Sequence, residues 1–285
     1  MTRPEDKPTH DEVLECLNRS GYLLESRLAQ QLFEDEFFVE SNQVVKDART
    51  GKSRDIDLIA EHHRYTPEHR YSHVKTTFVV EASNNKYPFV LLTPWRWTPM
   101  TGPELQSKVI VTPSSQESRI WSHLDPDDEK RAAADEPYAQ FCVLTRKSGT
   151  KELMASHTDD LYGSFLKVAE YIEQSMAEWE SYEGEQVEKY WRMFFWQPVL
   201  VLSGSLLVVR LQTGGTPFLE ETHSARLVFN WHSQDQQTTT IFNVVTETHF
   251  RTFVTSLVQE DFELEKKLHA LRLDTLGIDP AAEDP

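Results

Sequence analysis

Cysteine is nearly absent: Cys16 and Cys142 are the only two in 285 residues. They stand far apart in apolar surroundings, which supplies neither a disulfide framework nor a zinc spacing and suits reduced, buried thiols. Long apolar runs are missing too. The stretch from Pro198 to Leu211 is too short to span a bilayer, contains Gly204 and carries Arg210 at its end. The opening Met-Thr-Arg-Pro-Glu-Asp-Lys has no apolar signal segment, so a cytoplasmic protein with no membrane partner is expected. Positive charge is scarce, and a formal charge of -17 argues against a protein that coats nucleic acid by bulk electrostatics. Nor is there a Gly-x-Ser-x-Gly elbow, a phosphate-cradling glycine loop before a helix, or a Cys and His nucleophile signature.

The charge that is present is unevenly placed. Residues 151–285 carry 22 acids against 10 lysines and arginines, which makes the rear half a candidate surface for a protein partner. Between Lys46 and Lys75 the balance reverses: Lys46, Arg49, Lys52, Arg54, Arg64, Arg70 and Lys75 face five acids. A polyanion such as DNA or RNA would be met there, although a polar hairpin with ordinary surface charge reads the same way. His62, His63, His69 and His73 lie in this span, match no compact zinc spacing, and read as surface histidines on a polar loop from Glu61 to Lys75.

Along the chain, Thr9 followed by Glu12 predicts a capping box and a short helix, interrupted at Gly21. Leu24, Leu28 and Leu32 continue as a second helix, with Glu25 on the flank of its apolar stripe, an odd place for a carboxylate without a role. Strand-like runs follow at Phe37 to Asp47, Arg54 to Ala60, Thr77 to Ser83 and Phe89 to Thr93. Trp95 and Trp97 sit in a proline-bounded aromatic loop, and Asp125 to Asp135 reads as an acidic helix or loop. Strands are expected at Lys108 to Val111 and Ala139 to Thr145, then a helix from Leu161 to Trp179. Strands at Gln197 to Ser203, Leu206 to Leu211, Ala225 to Trp231 and Ile241 to Val245 precede a last helix, Thr248 to Leu271. The expected architecture is one extended α/β domain over residues 1–285, a mixed central sheet flanked by helices. Its core covers about residues 9–180, a C-terminal strand and helix elaboration covers about 190–273, and the ends are frayed tails.

Two strands carry the candidate chemistry. In Arg54-Asp-Ile-Asp-Leu-Ile-Ala60 the acids Asp55 and Asp57 share a face with Ile59, and in Thr77 to Ser83 the residues Val79, Glu81 and Ser83 share one. Carboxylates delivered from two adjacent strands are what magnesium needs to polarise a phosphodiester and lower the pKa of bound water.

The order of these pieces resembles the PD-(D/E)XK, or restriction-endonuclease-like, nucleases over roughly residues 20–93. The resemblance rests on Gly21-Tyr-Leu-Leu-Glu25, on Arg54-Asp-Ile-Asp57 with two aliphatics behind it, on the aliphatic strand ending in Glu81, and on the Pro88-Phe-Val strand. It implies a restriction-endonuclease-like core, Asp57 and Glu81 as ligands of Mg2+ or Mn2+, and Glu25 as an auxiliary acid. The family pattern places a lysine two residues after the glutamate, where this chain has Ser83. Lys86, beyond an Asn84-Asn85 pair, is the nearest substitute. Lys75 has the right strand parity, but six residues put its backbone roughly 20 Å away.

Two functions follow from this reading. One is a metal-dependent endonuclease with a degenerate site, Lys86 standing in for the missing lysine. The other is a catalytically silent pseudonuclease serving as a nucleic-acid- or protein-binding assembly module. Taken singly, Asp55 and Asp57 also read as acids pairing with Arg54 or Lys52, and Glu25 as a salt bridge at the core edge.

Overall fold

The computed structural model describes residues 7–46, 51, 53–65, 72–94, 108–112, 137–157, 159–181, 191–233 and 236–276. The aromatic loop with Trp95 and Trp97, the acidic segment Asp125 to Asp135, and the two tails lie outside the described residues, apart from the stretches that join the first and last helices. Thr9 caps α1 (His10–Ser20): its N–H donates to Glu12 Oε2 at 2.7 Å, and Glu12 N–H donates to Thr9 Oγ1 at 3.3 Å. Gly21, at φ 92°, ends this helix in the left-handed region and opens α2 (Tyr22–Glu34), whose Leu24, Leu28 and Leu32 are buried. No residue of α1 is buried, and Cys16 is exposed, contrary to the buried thiol expected for it.

Next come β1 (Phe38–Lys46), β2 (Ser53–Tyr65), β3 (Ser72–Ser83), β4 (Phe89–Pro94), β5 (Lys108–Thr112), β6 (Tyr138–Arg146) and β7 (Leu153–Ser156). They are followed by α3 (Asp159–Ser181), β8 (Trp191–Leu202), β9 (Leu206–Leu211), β10 (Pro217–Thr222), β11 (Ser224–Ser233), β12 (Gln236–Thr246) and α4 (Glu247–Leu276). All twelve strands join one mixed sheet in the order β1-β2-β3-β8-β12-β11-β6-β4-β9-β10, with β5 pairing β8 and β7 pairing β6. The α/β class and the mixed, helix-flanked sheet are as expected from the sequence. Among the described residues no helix is long and apolar enough to cross a membrane.

Of the strands after residue 190, β9 and β10 lie at one rim, but β8, β11 and β12 stand inside the sheet. β8 pairs β3 in parallel over its whole length, from Ser72 with Trp191 to Ser83 with Leu202, and so stands at the centre. Its sequence dictates this, because Met193 to Leu202 is buried at every position, as a parallel strand covered on both faces must be. On its other side β8 pairs β5 through Arg192 to Trp196 and β12 through Val199 to Leu202. Pro198, which has no N–H to give, stands in the gap between these two partners, where a central strand can tolerate it.

Helices cover both faces. Alternation sends Ile59, Val79 and Leu200 to the side of α3, against Phe165, Val168, Ala169 and Ile172. Leu58, Ala60, Phe78, Val80, Val199 and Val201 go to the other side, against α2 and against Phe250, Val254 and Val258 of α4. Each of these Val, Leu, Ile and Phe side chains, fully buried, contributes about 1.5–3 kcal/mol. Farther along α4, Asp261 is buried against the sheet. It accepts from Thr76 Oγ1 at 2.9 Å and faces Gln197 Nε2 at 3.4 Å.

The polar segment read as a loop from Glu61 to Lys75 is mostly strand. β2 runs on to Tyr65 and β3 starts at Ser72, in continuous register down to Tyr65 with His73. What holds it is a stack of rings: Tyr65 on His73 at 4.8 Å and His63 on His73 at 5.3 Å between centroids. Polarity hid the strand because its outer residues pack on one another instead of on the core.

At the far end of β3, Asn84 and Asn85 fix the chain. Asn84 Nδ2 donates to the carbonyls of Asn18 (2.6 Å) and Arg19 (3.0 Å), closing the end of α1, and its Oδ1 accepts from Ser203 Oγ at 2.9 Å. Asn85 Oδ1 accepts from Gly204 N–H at 3.2 Å. A Cβ on Gly204 would stand 2.5 Å from the Asn85 carbonyl oxygen. Gly204→Ala should therefore lower stability by about 1–3 kcal/mol in urea unfolding; an unchanged midpoint would show that this contact is slack.

Candidate active site

Asp57 and Glu81 meet because of register. The ladder that pairs Leu58 with Val80 carries Asp57 opposite Glu81 one step on, and opposite residues of an antiparallel pair project from the same face. The Ala82 N–H donates to Asp57 Oδ2 at 2.8 Å and ties the two strand ends together. On its other edge, β2 pairs β1 through Leu58 with Ser41 and Ile56 with Gln43, while Asn42 between them takes a left-handed φ of 54°. The ladder is thus interrupted opposite Asp57. Both carboxylates face α3.

From α3 comes a lysine. Lys167 Nζ lies 2.7 Å from Glu81 Oε1 and also donates to the Asp55 carbonyl, so it bridges the two strands. Ser164, nearly one turn earlier, hydrogen-bonds Glu81 as well. Both residues flank the stripe Phe165, Val168, Ala169 and Ile172 that pins the helix to the sheet, and the stem of Lys167 reaches along that boundary. From the opposite layer, Glu25 on α2 comes close enough to be influenced by Asp57 and Lys167.

The charges do not balance. Burial pushes Glu81 up to about 7, assisted by Asp57 and opposed by Lys167. Burial also raises Asp57, against the pull of the Ala82 N–H and of Lys167. Burial raises Glu25, with Asp57 adding to the shift. One ammonium therefore serves three carboxylates, and the surplus is negative. Acids raised by burial around a fixed cation are a feature of functional sites, and structural ion-pair networks share it.

Of the residues expected from the sequence, Asp57 and Glu81 come together, and Glu25 lies within electrostatic reach of Asp57. Lys86 does not join them. The asparagine pair that anchors the chain after β3 carries Lys86 away, exposed, with its Nζ 6.0 Å from the Tyr87 ring centroid. The cation at Glu81 is 86 positions later in the chain, beyond any search confined to the strand. Its signal was the same as that of Glu25: a charged residue bordering the buried stripe of an amphipathic helix.

A second polar group lies near the other end of α3, on the same sheet face. Lys75 Nζ pairs with Glu61 Oε1 at 2.7 Å and sits 5.2 Å from the Trp179 ring centroid. His63 bridges Glu61 Oε2 at 3.3 Å and His73 Nε2 at 3.1 Å. His73 is half-buried, and burial with neighbouring positive charge lowers it to about 4. His63 uses its two nitrogens on opposite sides, so the three groups do not converge on one point. Lys75, the lysine of correct parity, is spent here.

Among the described residues no three His, Cys, Asp or Glu side chains are placed to ligate one ion. A pair is present. Magnesium is held by one or two carboxylates, with water and substrate completing its shell, and Asp57 with Glu81 fits that mode. Glu81 Oε1 is buried without a hydrogen bond of regular geometry, since Lys167 approaches it off the hydrogen-bonding direction. The surplus negative charge is of the sign a divalent cation would neutralise.

These acids set a pH dependence. Glu81 rises from 4.5 to about 7 on folding and Asp261 from 3.8 to about 7, in both cases mainly by burial. The folded state thus binds the extra protons, and stability falls as pH rises through the window from about 4 to 7. Glu81→Gln and Asp261→Asn should each flatten that fall in urea melts run across the window; parallel curves for wild type and both variants would contradict it. Comparison with family models, with curated proteins and with solved structures finds no match, so the reading of this site rests on its own geometry.

Proposed function

We propose that this chain is a metal-dependent nuclease of the PD-(D/E)XK type, hydrolysing phosphodiesters of DNA or RNA, in which Lys167 of α3 replaces the lysine that Ser83 does not supply. The observation that carries the reading is the 2.7 Å approach of Lys167 to Glu81, opposite Asp57. Two acids and a lysine are the groups the chemistry requires, and here the lysine comes from a helix instead of the strand.

Asp57 and Glu81 would hold Mg2+ or Mn2+. The bound ion would supply Lewis acidity toward the phosphoryl oxygen and toward the attacking water. Lys167 places a positive charge where negative charge develops in the transition state, held rigid by Glu81 and the Asp55 carbonyl. Glu25, raised by burial and by Asp57, is the auxiliary acid. Lys46 on β1 and Arg54 on β2 belong to the cationic segment expected to meet the polyanion; Arg49, Lys52 and Arg70 lie outside the described residues.

A second reading keeps the geometry without the reaction. Asp57 Oδ2 already accepts from Ala82, and Glu81 already faces Lys167 and hydrogen-bonds Ser164. A silent binding module, with the acidic rear half facing a protein partner, would look the same.

Cleavage assays on labelled single-stranded and duplex DNA and RNA separate the two. The nuclease reading predicts cleavage that needs Mg2+ or Mn2+ and falls about 100-fold or more in Asp57→Ala, Glu81→Ala and Lys167→Met, while Lys86→Met matches wild type. Loss in Lys86→Met with Lys167→Met fully active would overturn the assignment of the lysine. No cleavage of any substrate would leave the binding module.

A further inference from the structure

The last helix changes character halfway along. On α4 the buried residues are first Phe250, Val254 and Val258, then Asp261, Glu265 and His269, spaced three or four apart along one side. The apolar half belongs to the cluster with Val80, Val199 and Val201. Beyond it the burial continues while the side chains become ionisable, although apolar residues would hold a helix on a sheet more firmly.

The two halves are also fastened differently. Arg27 Nη2 donates to Glu247 Oε2 at 3.1 Å and Arg251 Nε donates to Asp35 Oδ2 at 2.9 Å, which ties the first half to α2 and its end. The second half rests on polar contacts with the sheet. Asp261 accepts from the Thr76 hydroxyl at 2.9 Å and from the Gln197 amide at 3.4 Å, and Gln197 in turn accepts from Asn243 at 3.4 Å. These partners are neutral. Among the described residues no cation pairs with Asp261: Arg64, on the same face of β2, is turned to Gln259 Oε1 (3.0 Å) and the Phe262 ring, and His62 lies against Phe37. Glu260, beside Asp261 on α4, opposes ionisation, and Glu265 and His269 follow on the same side of the helix.

A carboxyl group enters such a place as the neutral acid. Docked, Asp261 keeps its proton up to about pH 7, mainly through burial, whereas in water it would give the proton up from about pH 4. Release of the helix therefore also releases a proton, and it is favoured as pH rises through that window.

We propose that the distal half of α4, from Gln259 onward, is a proton-controlled latch: Asp261 holds it on Thr76 and Gln197 in acid solution and lets it lift toward neutrality. The half up to Val258 stays on the sheet. Lifting opens to solvent the part of β3 and β8 around Thr76 and Gln197. The latch is independent of the reaction proposed above.

Hydrogen exchange of the full chain, followed by mass spectrometry from pH 5 to 8 and corrected for the intrinsic rate at each pH, tests it. In the wild type, protection over Gln259 to His269 should fall about ten-fold per pH unit and level off above about pH 7, while Phe250 to Val258 stays protected. Asp261→Asn keeps the shape and cannot ionise, so its distal protection should not vary with pH. Thr76→Val removes a donor that favours the ionised form, and should carry the levelling-off to a higher pH. A wild-type distal profile that is flat with pH, loss of protection in both halves together, or an Asp261→Asn profile with the wild-type slope would each overturn the latch.

Discussion

Three carboxylates that burial drives toward protonation are gathered around one ammonium, and the end of the sheet where they sit is organised by that imbalance. Glu25 comes from α2, Asp57 and Glu81 from adjacent strands, and Lys167 from α3, so both helical layers and the sheet contribute. Removing the ammonium would leave buried charge without compensation, which costs more than the pair contributes when intact. The site is thus coupled to the packing of α3. The helix must lie where its apolar stripe meets Ile59 and Val79 for Lys167 to reach Glu81 at all.

That placement depends on β8. By pairing with β3 along twelve residues in parallel, β8 fixes the strand that carries Glu81, and the long crossover between them contains α3. Beyond the last paired residue, Ser203 N–H donates to the Ser83 carbonyl at 3.0 Å, and the contacts of Asn84 and Asn85 with Ser203 and Gly204 secure the turn after β3. The same turn sends Lys86 outward. One set of contacts thus brings Glu81 into the cluster and keeps the neighbouring lysine out of it.

Much of this was legible. The capping box at Thr9, the stripe of α2 and the acids of β2 and β3 follow from local patterns of period 3.6 and 2, and Glu25 declared itself by standing on the flank of an apolar stripe. What escaped was non-local. Nothing within α3 says that Lys167 will meet a strand 86 positions earlier, although its position beside Phe165 and Val168 is the same flank signal that marked Glu25. The centrality of β8 was written in its apolar run, broken only by Gln197, and Pro198 is tolerated in it because the partners on that side, β5 and β12, divide there. The strand from Glu61 to Tyr65 was hidden because His63, Tyr65 and His73 stack on one another at the surface and give no apolar alternation.

The central proposal is that Asp57 and Glu81 bind a divalent cation. Calorimetric titration of the full chain with Mn2+ near pH 7, in two buffers of different ionisation enthalpy, tests it most directly. Saturable uptake with release of a fraction of a proton is the predicted result, because binding must ionise Glu81, which burial holds at about 7. No uptake at millimolar Mn2+, or uptake with no proton released, would contradict the account.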